Sequence, residues 1–297
     1  MGDYHVHLHP HGPYRGAGAP PGVYPPGHIE AYVAAAERNG ADEVGFTEHL
    51  YRCVEAAPVL GRFWEGERHP DLATLTEQMV TEDLTLSLDR YVDAVTGARD
   101  RGLPVLLGLE VDFFPETIDA VLDLLAPYPW DFLIGSVHWV GGWSIDHEPS
   151  AFEFARRGVH QAYEDYFEME TMLAASGAVD VLAHVDVVKK FGHRPAETPF
   201  DLYRKVVDAA AASGTAVEVS SAGLSRPTCE IYPAPALLAM FAAAGVAITL
   251  ASDAHHPNET GRGRDTLIAA ATTAGYSHRL RFRRRTRSLV PLEERVV

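Results

Sequence analysis

Across 297 residues the chain carries 41 Asp and Glu against 25 Lys and Arg, for a formal charge of −16, together with 15 His and 2 Cys. A hydrophobic content of 46% and a charged content of 22% exclude the disordered and low-complexity classes. Two cysteines exclude a disulfide framework, and the acidic balance argues against a nucleic-acid backbone as an electrostatic partner. No apolar run approaches the ~20 residues of a membrane span, and Met1-Gly2-Asp3-Tyr4-His5 lacks the basic and apolar segments of a signal peptide. A cytoplasmic protein without a membrane partner is expected. Its many histidines raise the question of a metal.

In chain order, short β-branched runs alternate with amphipathic helical stretches, the pattern of βα units around a parallel sheet. A strand over Asp3–His7 ends in His5-Val6-His7. It leads through the Pro- and Gly-rich segment His9–Gly27, expected to be a surface loop, into a helix over Ile29–Asn39. The second strand, Glu43–Thr47, ends in Glu48-His49. Tyr51–Glu82 then follows, too long for a simple connection and expected to form a lid or pocket wall. Helix Leu86–Arg101 leads to strand Pro104–Leu109, which ends in Glu110-Val111-Asp112, and helix Thr117–Ala126 to strand Phe132–Ser136, which ends at His138. Helix Gln161–Ser176 precedes strand Val179–Ala183 with His184-Val185-Asp186 at its end, and helix Leu202–Ser213 precedes Ala216–Val219 with Ser220-Ser221. Helix Ala234–Ala244 leads to the last strand, Val246–Leu250, which runs into Ser252-Asp253-Ala254-His255, and helix Arg264–Ala274 completes a seventh unit. Gly40, Gly102, Gly177, Gly214 and Gly245 each sit just past a helix, where a left-handed residue is favoured. With no linker to split it, the chain is expected to be one domain over residues 1–297.

The polar residues gather at one end of nearly every strand. In a barrel of parallel strands those ends share one rim, where imidazoles and carboxylates would be costly to bury without a cation to hold them. His5 and His7, two residues apart on a strand, can grip one ion, and Asp253 with His255 can do the same from the opposite wall. The imidazole–carboxylate mixture suits Zn, Mn or Fe, and the number of donors asks for more than one ion.

These residues carry a resemblance. His5-x-His7, Glu48-His49, Glu110, Gly135-Ser136-Val137-His138, Ala183-His184-x-Asp186 and Ser252-Asp253-Ala254-His255 resemble the polymerase and histidinol phosphatase (PHP) superfamily over essentially the whole chain. Ser136-Val137-His138-Trp139 with Gly142-Trp143, Asp186-Val187-Val188-Lys189-Lys190-Phe191-Gly192 and Glu218-Val219-Ser220-Ser221-Ala222-Gly223-Leu224 resemble its histidinol-phosphatase type. The resemblance implies an α/β fold, a distorted (β/α)7 barrel, with three divalent metal ions and no organic cofactor. By position, His5, His7, Glu110 and Asp253 would hold the first ion, and Glu110, His138 and His184 the second. His49, His255 and one further imidazole would hold the third. Relatives place that last imidazole where Pro13 stands here, which leaves His9 or His11, with His11 preferred because His9 would lie along the extension of the strand.

The implied reaction is hydrolysis of a small phosphate monoester, L-histidinol phosphate, with Glu110, Asp253 and His255 at the catalytic centre. Arg226, Lys189 and Lys190 are candidates to meet the phosphate. Glu48, Asp112 and Asp186 could face the substrate's basic groups or orient ligating histidines, and Trp64, Trp139 and Trp143 could cover its imidazole. His28, His69, His147, His160, His193, His256 and His278 read as surface or loop residues. The rival readings are a PHP phosphoesterase acting on nucleotides or nucleic-acid 3′ ends, and a metal-holding module without turnover. Near the C-terminus, Arg279 and every second residue to Arg287 are arginine, so a strand there would show one basic face. That face suits a charge-protected edge or contact with an acidic partner, such as a second copy in a homo-oligomer.

Overall fold

The computed structural model describes residues 2–12 and 18–292. Part of the predicted loop His9–Gly27, including Pro13, therefore lies outside the described residues. The chain runs through β1 (Gly2–Val6), α1 (His28–Arg38), β2 (Glu43–Phe46), α2 (Ala57–Leu60), α3 (Pro70–Asp83) and α4 (Leu88–Asp100). β3 (Val105–Leu107), β4 (Glu110–Asp112), α5 (Ile118–Leu125), β5 (Ile134–Ser136) and the short pair β6 (Trp139–Val140) and β7 (Trp143–Ser144) come next. Then follow α6 (Glu153–Arg157), α7 (Val159–Ser176), β8 (Val181–Leu182), α8 (Phe200–Ser213), β9 (Ala216–Ser220), α9 (Pro235–Ala243), β10 (Ile248–Ala251) and α10 (Arg264–Ala274). A hairpin of β11 (His278–Arg283) and β12 (Thr286–Pro291) ends the described chain. Among the described residues no helix is long and apolar enough to cross a membrane.

Two parallel sheets, β1-β2-β3 and β10-β9-β8-β5-β4, meet at two seams. At one, His7 N donates to Ala254 O at 2.8 Å. At the other, β3 and β4 are halves of a single strand interrupted at Gly108-Leu109, with Gly108 N donating to Phe46 O (2.9 Å) and Glu110 N to Glu48 O (3.0 Å). The first half pairs with β2 and the second with β5, so the strands form a distorted seven-stranded ring.

The interruption has a packing reason. A Cβ on Gly108 would stand 2.7 Å from Phe132 Cζ and 2.9 Å from Phe46 O, and one on Gly45 would stand 2.6 Å from Phe132. Two bare backbones therefore admit one buried phenyl ring into the lower barrel. Phe132 meets Tyr4 edge-on (5.3 Å between centroids) and stacks on Phe282 of β11 (5.7 Å).

That contact revises the picture of the arginine-rich tail. It is a hairpin that plugs the end of the barrel opposite the rim, not a strand with a free basic face. Alternation breaks at Arg284 and Arg285, whose φ values of 47° and 59° make the turn. Arg281 and Arg283 both clasp the buried Glu43, at 3.0 and 2.7 Å, Arg285 reaches Asp180 at 2.6 Å, and Arg279 is itself buried. Acidic groups around the barrel floor thus absorb much of the basic face.

Candidate metal and phosphate site

The rim end of the barrel gathers the chemistry. Glu110, fully buried at the start of β4, lies within reach of five imidazoles: Oε2 is 2.7 Å from His49 Nδ1, 3.4 Å from His5 Nε2 and 3.6 Å from His7 Nε2, and Oε1 is 3.1 Å from His184 Nε2 and 3.4 Å from His138 Nε2. Asp253 Oδ1 stands 3.3 Å from His7 Nε2 and 3.5 Å from His5 Nε2. On the far side His11 Nε2 and His255 Nε2 are 3.1 Å apart, next to His49 and His7.

Other carboxylates aim these rings. Glu218 Oε2 accepts from His5 Nδ1 at 2.9 Å while its Oε1 accepts from the backbone N–H of His184 at 2.8 Å, so one side chain sets two donors. Asp112 Oδ1 accepts from His138 Nδ1 at 2.9 Å and its Oδ2 from the backbone N–H of Tyr51 at 2.9 Å, leaving His138 Nε2 turned toward Glu110. Fixing one ring nitrogen in this way presents the other for ligation. Asp3 accepts from Ser252 N, Ser252 Oγ and Gly261 N, which ties the chain around Asp253 to β1. His184 and Asp253 have φ values of 23° and 53°, a left-handed conformation that disfavours residues with side chains and tends to persist where function holds it.

Charge is mutually enforced in the cluster. Burial opposes ionisation at His5, but Glu218, Glu110 and Asp253 outweigh it and hold the imidazole well above its usual value. At His138, burial is likewise overcome by Glu110 and Asp112, and its pKa is pushed up to about 9. Against the opposing effect of burial, His49, His5 and His138 hold Glu110, and His5, His7 and His255 hold Asp253, well below the usual carboxylate range. At His11, burial together with the Arg52 guanidinium and neighbouring imidazoles drives the value well down.

The donor set fits divalent cations. His7, His11, His49 and His255 offer ligand atoms within 4.8 Å of one another, as do His5, His7 and Glu110, then His5, His184 and Asp253, and lastly His49, Glu110 and His138. Glu110 Oε2 and His49 Nδ1, which face each other in the cluster, are both buried without a satisfied hydrogen bond. A cation between such unsatisfied ligand atoms would satisfy both. Every residue expected as a ligand is brought into this cluster, and His11 rather than His9 completes it. His9 turns away, its Nε2 on Val23 O at 3.0 Å and its Nδ1 3.4 Å from Glu48.

A cavity of about 400 Å3 opens above the cluster, lined by His11, His49, His138, His184, Asp253 and His255 below and by other elements at its sides. Tyr51, Met79 and Asp83 come from the long segment after β2, which forms a wall as expected. Trp139, Asp146 and His147 come from the segment that begins with β6 and β7, and Lys190, Phe191, Arg226 and Tyr232 from the turns after β8 and β9. Lys190 Nζ donates to Asp146 Oδ2 at 2.9 Å and to Asp146 O at 2.7 Å. Although burial opposes it, the Lys190 ammonium and His138 hold the Asp146 carboxyl below its usual range.

Five residues expected to face the substrate do not line the cavity: Glu48, Asp186, Lys189, Trp64 and Trp143. Glu48 is fully buried, accepting from the backbone N–H groups of Leu8 and His9 and from Arg52, so it shapes the loop that carries His11. These bonds also explain why the start of the predicted surface loop is buried. Lys189 and Asp186 are buried and paired with each other behind the cavity wall at 2.8 Å. Trp64 and Trp143 pack in the core, whereas Trp139 does line the cavity. Asp146, Tyr51 and Tyr232 carried no signal in the sequence, since each comes from an irregular segment. His147, read as a surface residue, also lines the cavity.

An α/β barrel with buried imidazoles and carboxylates converging at one rim defines a protein of the metal-dependent hydrolase type. The chain belongs to the PHP domain family, whose model matches residues 7–222. It is 33% identical over 230 residues to a protein of Deinococcus radiodurans named "Probable histidinol-phosphatase", covering 77% of this chain and 81% of that one. To a protein of the same name from Schizosaccharomyces pombe it is 25% identical over 250 residues, 79% of this chain and 77% of the relative. Its fold is similar to that of the histidinol phosphate phosphatase of Lactococcus lactis, solved in complex with Zn, L-histidinol and phosphate. That match has a TM-score of 0.70 at 20% identity and covers 97% of this chain and 98% of that structure.

Proposed function

We propose that the chain is a histidinol-phosphatase, hydrolysing L-histidinol phosphate to L-histidinol and phosphate, with residues 1–297 acting as one catalytic unit. The observation that carries this reading is the convergence of five imidazoles on Glu110 beneath a cavity whose walls offer Arg226 and Lys190. Three divalent ions, with Zn, Mn and Fe the best matched to the donors, would be held by His5, His7, Glu110 and Asp253, by Glu110, His138 and His184, and by His11, His49 and His255. Bound there, such ions supply neutralisation of the phosphoryl oxygens and a water acidified toward neutral pH.

The protein's own contribution is positioning. Glu218 and Asp112 hold His5 and His138 in place. Arg226, on the turn after β9, would orient the phosphate from the side. Asp83, Asp146 and Tyr51 give the cavity an acidic and aromatic face suited to the substrate's amine and imidazole. The test is removal of metal by a chelator and restoration with Zn, Mn or Fe, following phosphate release from histidinol phosphate, nucleoside monophosphates and a 3′-phosphorylated oligonucleotide. Metal-dependent release selective for histidinol phosphate supports the proposal. Preference for a nucleotide substrate, or retention of metal without turnover, would replace it.

A further inference from the structure

Behind the wall that carries Arg226 and Tyr232 lies a set of charges centred on the buried Lys189 and Asp186. Lys189, only 1% exposed, places Nζ 2.8 Å from each of three acceptors: Asp186 Oδ2, Glu230 Oε2 and the carbonyl oxygen of Ile231. A lysine ammonium has three protons to donate, so all are used. Arg194 adds a second cation, its Nη2 3.1 Å from Glu230 Oε2 and 2.9 Å from Thr228 Oγ1. The two cations and two carboxylates balance, with Lys189 and Asp186 buried and Glu230 and Arg194 reaching toward solvent.

The group spans two separate rim turns. Asp186 and Lys189 belong to the turn after β8, and Glu230 and Ile231 to the segment after β9. Asp186 Oδ2 also accepts from Ala234 N at 2.7 Å, and Thr228 N donates to Lys190 O at 3.2 Å. The Lys189 ammonium further lies 5.2 Å from the centre of the Tyr232 ring. Segment 226–234 is pressed close against the preceding turn, where a Cβ on Gly223 would meet Glu230 O at 2.1 Å. Without the lysine, the buried Asp186 carboxylate would face the partly exposed Glu230 carboxylate across the joint between the turns.

We propose that Lys189 is a positioning residue for substrate binding: it locks segment 226–234 to the turn after β8 and thereby fixes Arg226 and Tyr232 at the cavity. This rests on the histidinol-phosphatase reading, and it gives the two basic residues of Lys189-Lys190 different roles, one behind the wall and one in it. None of the atoms that Lys189 binds belongs to a proposed metal ligand, so its effect is directed at substrate and not at metal.

The test compares Lys189→Met, Lys189→Arg and Glu230→Gln with the unaltered metal-loaded enzyme. For Lys189→Met we expect KM for histidinol phosphate to rise about tenfold or more with a much smaller change in kcat, as for loss of a group that orients a binding residue. Metal content should be unchanged, and amide hydrogen exchange should quicken in residues 226–234. Lys189→Arg should recover part of the loss, and Glu230→Gln should shift KM and exchange in the same direction. It carries the test alone if Lys189→Met does not fold. Unchanged KM and exchange, or a loss of metal content and kcat that parallels KM, overturns the proposal. If the unaltered enzyme does not hydrolyse histidinol phosphate, the functional reading fails on its own, and exchange together with affinity for inorganic phosphate still decides the role of Lys189.

Discussion

Glu43 offers a quantitative test of how the plugged floor supports the barrel. Its carboxylate is 2% exposed and accepts from Tyr4 Oη at 2.5 Å, from Arg281 Nε and Nη2 at 3.0 Å each and from Arg283 Nη2 at 2.7 Å. Burial opposes ionisation, but these donors prevail and lower its pKa from 4.5 to about 2. Because the folded value is depressed, the stabilisation is complete above the unfolded value and is lost as pH falls through 4.5 toward 2. Such a shift corresponds to ~3 kcal/mol. Arg281 and Arg283 are 38% and 56% exposed, and water screening of these partners reduces the expected loss in Glu43→Gln to ~2 kcal/mol at pH 7. In a chain of 297 residues that corresponds to a fall in Tm of about 3 °C. Urea unfolding of both proteins at pH 7 and pH 3 reads the effect, and the gap should shrink by roughly half at the lower pH. Because Glu43 lies at the end of the barrel opposite the rim, kcat and KM at 25 °C should be unaltered. Equal stabilities at pH 7, or a gap that widens on acidification, would refute the reasoning.

His11→Ala should lower bound metal by about one equivalent, whereas His9→Ala should leave the stoichiometry intact, because only His11 joins His49 and His255; elemental analysis of the two purified variants distinguishes them. Metal binding should release protons and weaken as pH falls, because His5, His7 and His138 have raised values and must give up protons to ligate. Calorimetric titration of the metal-free protein in buffers of different ionisation enthalpy would show this, and a proton count of zero would contradict it. Arg226→Ala should raise KM for histidinol phosphate with metal content retained, and steady-state kinetics beside metal analysis checks both. Gly108→Ala should destabilise by ~1–3 kcal/mol, since its methyl group would overlap Phe132 and Phe46 O, and a denaturant midpoint equal to that of the unaltered protein would argue against the packing described for the floor.

What could be read from the chain followed from periodicity and from which residue types recur at strand ends. The βα alternation gave the elements, and α10, predicted over Arg264–Ala274, has those bounds in the structure. The donors were legible because a parallel barrel sends every strand's carboxyl end to one rim, so His5, His7, His49, Glu110, His138, His184, Asp253 and His255 could be gathered without knowing a single distance. Lys189, Asp186 and Glu48 were different. In sequence a lysine or carboxylate beside the rim looks the same whether it points into the cavity or behind it. Only the packing of segment 226–234 against the turn after β8 put Lys189 behind the wall, and only the turn after β1 put Glu48 under the backbone of Leu8 and His9. Sequence likewise left His9 and His11 as alternatives, and the distinction came from the direction in which each ring turns. In the tail, alternating arginines suggested a basic strand face, but the acids that meet it, Glu43 and Asp180, lie well over 90 residues away in the chain. Local pattern determined the elements and the chemistry of this protein; which charges face substrate, which face one another and which close the barrel floor depended on contacts between distant segments, which only the tertiary structure brings within a few ångströms.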